Sequence, residues 1–176
     1  FETIVVGGGQ AGLAMGYELA RMGQHFVIFD AQGRIGATWR KRWDSLRLFT
    51  SATHDALPGL PFPAPPTSYP TKDAMADYLE SYAAHFSLPV RCNTRIDTLT
   101  RQEDRFLLTA GEQRFEAGRV IIAMHSSQAP KIPPFASHLD PAITQIHSSA
   151  YRNPDQLPEA DTLVVGAGNS GAEIAL

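Results

Sequence analysis

A chain of 176 residues with 43% hydrophobic side chains has enough apolar material for one full domain and a little more. Its net charge of −3 gives no sign of a nucleic-acid or polyanion surface, and no apolar run is long enough to cross a bilayer. Cys92 is the only cysteine, which excludes a disulfide framework and an internal dithiol redox centre and points to a reducing compartment, cytoplasm by default.

Thr3-Ile4-Val5-Val6 is a β-branched run that predicts a buried parallel strand. No signal peptide is expected before it, and the sequence opens on Phe1 without an initiator methionine. Gly7-Gly8-Gly9-Gln10-Ala11-Gly12 follows at once. Leu13 to Met22 then predicts a helix with Leu13, Tyr17 and Ala20 on one face, ended by Gly23. Phe26-Val27-Ile28-Phe29 predicts a second buried strand, closed by Asp30. The unit has the size of a parallel strand–helix–strand crossover.

Between Leu57 and Pro70 six prolines (58, 61, 63, 65, 66, 70) forbid regular structure, and an extended loop that wraps something is expected. Thr71 is placed to cap the next helix, with Asp73 in its first turn and Met75, Leu79, Tyr82 and Phe86 on one face. From Val90 to Phe115 short alternating strands are expected, with turns near Glu103-Asp104 and Gly111-Glu112. Arg119 to Ala123 predicts another buried strand. After a proline-rich link, Thr162-Leu163-Val164-Val165 predicts a strand that leads into a second glycine turn and the start of a helix. Since the chain stops at Leu176, soon after that turn, it is expected to be a fragment of a longer protein.

Gly7-x-Gly9-x-x-Gly12 is a dinucleotide fingerprint in context: a strand before it, a helix after it, and an acid, Asp30, eighteen residues past Gly12. Gly7 permits the tight turn, Gly9 lets a pyrophosphate approach the backbone, and Gly12 lets helix and strand pack closely. Helix N-terminal amides then face the phosphates, and Asp30 is able to accept from adenosine ribose hydroxyls. A glycine turn without a ligand is the competing reading. Gly36-Ala37-Thr38-Trp39 is a small-residue turn that brings amides to the second phosphate side with Trp39 over the cofactor, or else a surface loop with a core tryptophan. The basic run Arg40, Lys41, Arg42 and Arg47 suits a diphosphate and equally a solvated face. Gly166-x-Gly168-x-x-Gly171 repeats the fingerprint. Two dinucleotide turns in one chain pair naturally as a flavin and the nicotinamide that reduces it. The six histidines show no metal-ligand spacing, so no metal site is expected, and no nucleophile–base pair is legible.

The ordered set Gly7 to Gly12, Gly36 to Thr50, Tyr69-Pro70-Thr71-Lys72-Asp73 and Gly166-Ala167-Gly168-Asn169-Ser170-Gly171 resembles the flavin-containing monooxygenases, chiefly the bacterial oxidoreductases and the plant auxin-forming branch. The resemblance covers nearly the whole chain. It implies an α/β architecture with a Rossmann-like FAD-binding domain over residues 1–150, a parallel sheet with helices and a small antiparallel insertion, and the start of an NAD(P)H domain over 151–176. It implies FAD, NADPH and molecular oxygen, with one oxygen atom passing to a nitrogen, sulfur or carbonyl carbon of a small substrate. By position, Gly7, Gly9, Gln10, Ala11, Gly12 and Asp30 correspond to the holders of the FAD adenosine and pyrophosphate. Gly36, Thr38 and Trp39 correspond to the second FAD segment, and Leu48, Phe49 and Thr50 to the stretch beside the isoalloxazine. Ile96 corresponds to a backbone contact to adenine, and Gly166, Gly168, Asn169, Ser170 and Gly171 to the NADPH turn.

Three departures bear on substrate class and oxygenation. Where the family's linker has Phe and Gly before its His, this chain has Pro141 and Ile143 before His147 and Tyr151. The last FAD-domain strand ends in Ala123-Met124-His125 instead of Ala-Thr-Gly, and Phe49 stands near the place of the animal enzymes' flavin-side Asn. A flavin reductase or oxidase of the same fold, and a fragment that only binds FAD, remain the alternatives.

Overall fold

The structure, a computed structural model, describes residues 1–125 and 129–176. Four strands form a parallel sheet in the order β3-β2-β1-β7: β1 (Thr3–Val6), β2 (Phe26–Phe29), β3 (Val90–Arg91) and β7 (Arg119–Ile122). In register, Ile4 faces Val27, Val5 faces Ile28 and Val6 faces Phe29. Strand alternation sends these pairs to opposite faces. Val5 and Ile28 join a core with Leu13 and Leu19 of α1 (Gln10–Arg21) and Met75, Tyr78, Leu79 and Tyr82 of α3 (Lys72–His85). Ile4, Val6, Val27 and Phe29 pack on Leu108 and Ala117 of an antiparallel sheet made of β4 (Thr98–Gln102), β5 (Arg105–Ala110) and β6 (Gln113–Ala117). The result is three layers, helices, parallel sheet and antiparallel sheet, with both faces of β1 and β2 covered, as continuous apolar strands require.

Most predicted elements stand, with particular corrections. The first helix begins at Gln10, three residues before the expected Leu13, because its opening amides belong to the glycine turn itself. Its buried face is Gly12, Leu13, Gly16 and Leu19, whereas Ala20 is exposed. Gly16 owes its place to packing, since a Cβ there would lie 2.7 Å from Ile28 Cδ1. The C-terminus closes with the Gly23 amide donating to the Ala20 carbonyl and the Gln24 amide to that of Leu19, the paired bonds of a Schellman motif. In α3 the Thr71 side chain accepts from the Ala74 amide, and Met75, Leu79 and Tyr82 are buried as expected. Val90 belongs to the parallel sheet, beside β2, and only 98–117 make up the antiparallel insertion. The turns at 103–104 and 111–112 join its strands as two-residue connections.

The proline segment wraps α3. Tyr78 donates to the Leu60 carbonyl at 2.7 Å and accepts from the Leu57 amide at 2.7 Å, while Tyr82 donates to the Pro58 carbonyl at 2.6 Å. Burial, then the neighbouring Tyr78, pushes the Tyr82 hydroxyl up to about 12, so it stays a donor across the physiological range. A segment whose prolines allow only scattered turns of its own, such as the Leu60 amide on the Leu57 carbonyl, thus finds further hydrogen-bond partners on the helix it covers.

Two expectations fail. The strand expected to be buried at 119–123 is β7, an edge strand with Ile122 56% exposed, because it has a neighbour, β1, on one side only among the described residues. Residues 162–165 do not form a strand: no ladder partner exists for them among the described residues, and Leu163 is 85% exposed. A buried strand is defined by its neighbours as much as by its side chains, and here only the short helix α4 (Asn169–Ala175) forms, with Ile174 against the main core.

Candidate dinucleotide site

The chain passes from β1 through α1 to β2 on one side, and β7 lies on the other side of β1. The order therefore reverses at β1, and the crevice beyond the carboxyl ends of β1 and β7 is the topological switch point at which ligands bind in open α/β sheets. Residues 7–12 occupy it.

The three fingerprint glycines meet three different surroundings. Gly7 has φ +109°, and a Cβ on it would lie 2.8 Å from the Ala123 carbonyl oxygen at the end of β7. A Cβ on Gly12 would lie 1.8 Å from the Gly7 carbonyl oxygen. A Cβ on Gly9 would meet nothing within 4 Å. Two of the glycines are thus demanded by the protein's own packing. The third borders open space at the N-terminus of a twelve-residue helix, where amides lack intrahelical acceptors and the helix dipole favours an anion. Gln10 and Ala11 are exposed on the same turn.

Asp30 lies beside this turn. Its Oδ2 accepts from the Gly8 amide at 2.7 Å and its Oδ1 from the Gln32 amide at 2.7 Å. It therefore buckles the glycine turn to the loop after β2, a structural duty the sequence reading did not assign. Each oxygen keeps a further lone pair for a hydroxyl donor. Ile96 is brought near by backbone bonds from the Thr94 amide to the Asp30 carbonyl and the Asn93 amide to the Gln32 carbonyl, both 2.8 Å, and it packs on the second core.

Gly36, Thr38 and Trp39 lie in and before α2 (Ala37–Arg40). Trp39 Nε1 donates to Gln10 Oε1 at 3.2 Å, so the tryptophan stands against the opening of α1. Gly36 is small for a different reason from the one expected: a Cβ there would lie 2.6 Å from the Ala76 carbonyl oxygen of α3. Within the basic run Arg40 is neutralised, together with the nearby Arg34, by acids of α3, whereas Lys41 and Arg47 bond only neutral oxygens. Arg34 grips Glu80 with both Nε (2.5 Å) and a terminal nitrogen (2.7 Å), and Arg40 bonds Asp77 at 2.8 Å and Glu80 at 3.0 Å. The hydrogen bond from Arg34 holds the Glu80 carboxyl below the usual range against the opposing effect of burial. Lys41 donates to Gln32 Oε1 and Arg47 to the Tyr69 carbonyl. This clasp fixes 34–40 on α3, and pattern reasoning missed it because its acids lie some forty residues away in sequence.

Leu48 is buried, with its amide on the Pro70 carbonyl at 2.8 Å, while Phe49 is 72% exposed. Thr50 donates to the buried Asp55. Tyr151 enters the main core, and the link around it is tied to the site's back by the Asp44 amide on the Arg152 carbonyl and by Asn153 Nδ2 on Asp44 Oδ2, at 2.7 and 2.8 Å.

The second turn repeats the first in backbone terms. Gly166 has φ +113°, a Cβ on Gly168 would meet nothing within 4 Å, and one on Gly171 would lie 1.9 Å from the Gly166 carbonyl oxygen. Asn169 and Ser170 open α4. No sheet stands behind it among the described residues. Among the described residues no helix is long and apolar enough to cross a membrane.

The parallel sheet, switch-point crevice and glycine turn define a dinucleotide-binding α/β fold. The chain belongs to the pyridine nucleotide-disulphide oxidoreductase family, which it matches over residues 4–176. It is 46% identical to a CzcO-like oxidoreductase of Geobacillus kaustophilus over 99% of its own length and 50% of that protein. It is 32% identical to the probable indole-3-pyruvate monooxygenase YUCCA7 of Arabidopsis thaliana, covering 98% of this chain and 43% of the relative. Among solved structures, a flavin-containing monooxygenase from Stenotrophomonas maltophilia superposes with a TM-score of 0.90 at 33% identity, over 97% of this chain and 52% of that one. The chain thus spans about half the length of the relatives it matches.

Proposed function

We propose that this chain is the FAD-binding part of a monooxygenase that uses NADPH and molecular oxygen to oxygenate a small organic substrate at nitrogen, sulfur or a carbonyl carbon. The observation that carries the reading is the asymmetry of the first glycine turn, closed by protein at Gly7 and Gly12 and open at Gly9. FAD held there would supply a redox centre between NADPH and oxygen.

In this reading the amides of Gly9, Gln10, Ala11 and Gly12 hold the pyrophosphate. Asp30 accepts from the ribose while it keeps the turn in shape, and the backbone at Ile96 borders the adenine. Gly36, Thr38 and Trp39, held by the clasp on α3, line the second side, and Leu48, Phe49 and Thr50 run beside the ring system. Residues 1–150 form the FAD domain, and 151–176 open an NADPH domain whose phosphate turn is Gly166, Gly168, Asn169, Ser170 and Gly171. Burial first, and the Asp30 charge second, hold the Cys92 thiol above the ordinary value, which disfavours the thiolate. A cytoplasmic setting suits that single reduced cysteine.

The test is made on the full-length protein with bound flavin, comparing NADPH consumed with oxygenated product formed. Product in near-equal amount supports the proposal. Hydrogen peroxide in its place identifies an oxidase or reductase of the same fold.

A further inference from the structure

Among the polar groups buried in this fold, Asp55 is only half satisfied. It is 8% exposed, and its Oδ2 has no hydrogen-bond partner among the described residues. Its Oδ1 accepts from the Thr50 hydroxyl. The surrounding turn is firmly set: the His54 amide bonds the Ser51 carbonyl at 2.8 Å, that of Ala52 bonds the Ser68 carbonyl at 2.9 Å, and that of Thr53 bonds the Pro66 carbonyl at 3.2 Å. This scaffold returns the chain so that Asp55 meets the hydroxyl of Thr50, the residue after the exposed Phe49.

A buried polar group with an unfilled acceptor is costly and calls for a reason. The oxygen that is bonded, Oδ1, shows what the carboxylate does for its neighbour. A carboxylate only accepts hydrogen bonds, and a threonine hydroxyl has one proton to give. With that proton committed to Asp55, what remains on Thr50 Oγ1 is acceptor capacity alone. Thr50 is half-buried, and the acceptor its hydroxyl retains has fixed polarity.

We propose that Asp55 is a positioning residue which, through Thr50, makes this loop a reader of an N–H donor on the ring of the bound cofactor, the imide N–H of an isoalloxazine. The inference rests on the reading that residues 48–50 run beside the flavin. An imide edge presents one N–H between two carbonyls, and only the N–H is complementary to an oriented acceptor. A hydroxyl free to turn would serve either partner and select neither.

The experiment uses the full-length protein and two probes, FAD and FAD methylated at the imide nitrogen, which has lost the donor. Wild type is expected to bind FAD about tenfold more tightly than the methylated form, the worth of one hydrogen bond. Thr50→Val and Asp55→Ala are each expected to erase most of that preference, the double variant to lose no more than either single one, and Thr50→Ser to restore it. Thermal unfolding of each apo-variant shows whether it is folded, and an effect on packing alone would not change the ratio between the two probes. Equal binding of both probes by wild type, an unchanged preference in folded Asp55→Ala, or losses that add in the double variant would overturn the inference while leaving FAD binding intact. Failure of wild type to bind either probe would instead overturn the underlying reading, and the inference with it.

Discussion

The two glycine turns of this chain have nearly the same backbone and very different surroundings. At 7–12 and at 166–171 the first glycine has φ +109° and +113°, the second faces open space, and the third is pressed on the carbonyl of the first at 1.8 and 1.9 Å for an added Cβ. Both helices begin from an extended glycine, φ −83° at Gly9 and −77° at Gly168. Yet the first turn stands at the end of a paired central strand with Asp30 fastened to it, and the second follows four exposed or half-exposed residues in no sheet. The turn is a local object that six residues suffice to encode. A binding site is not local: it needs the switch point, the acid and the covering layers.

Substitutions at the third glycine separate the two cases most widely. Gly12→Ala forces a methyl group into the Gly7 carbonyl inside a packed α1, and a loss of about 3 kcal/mol is expected in urea unfolding. The same change at Gly171 meets the same carbonyl clash, but the turn there is free to open without disturbing a sheet, so a change within about 0.5 kcal/mol is expected. Equal losses at the two positions would show that the second turn is as integral to the fold as the first.

Removal of the buckle comes next in size. Asp30→Ala deletes two charge-assisted bonds to backbone amides, and FAD affinity is expected to fall by about 1.5–3 kcal/mol. Titration of the variant with FAD checks this, and an unchanged dissociation constant would remove Asp30 from the site.

The smallest effects are electrostatic and of opposite sign in the two regions. Glu80, on the clasp behind the first site, titrates below the usual range when folded, chiefly through its bond from Arg34. Its contribution is present above the unfolded carboxyl value and is lost as pH falls through the folded one, by less than about 1 kcal/mol because the pair is partly solvated. Glu173 on α4 is shifted upward by burial, and its Oε2 has no hydrogen-bond partner among the described residues. Docking of α4 is therefore strongest below the unfolded carboxyl value and weakens as pH rises through the folded one. Hydrogen exchange across the acid range, read separately for 34–40 and 169–175, should show protection moving in opposite directions, and parallel movement would contradict the assignment.

These contrasts also mark what the sequence could reveal. The glycine spacing, the capping threonine at 71 and the strands over 3–6 and 26–29 were legible because each depends on neighbours within a few residues. The clasp of Arg34 and Arg40 on Asp77 and Glu80, the tyrosine grip on 57–60 and the Asp30 buckle were not, since each joins segments brought together only by the fold. The strand expected at 162–165 is missing for the same reason: its residues are apolar or β-branched, but no partner strand lies beside them among the described residues.

The central claim, that the first turn is the flavin site and the second is not, is tested most directly by titrating FAD into Gly9→Val and Gly168→Val side by side. Neither added side chain has a protein atom within 4 Å of its Cβ position, so both variants should fold and melt like wild type. The account predicts that Gly9→Val binds no FAD, while Gly168→Val binds it with wild-type affinity. Retention of FAD by a folded Gly9→Val protein, or its loss from Gly168→Val, would contradict it.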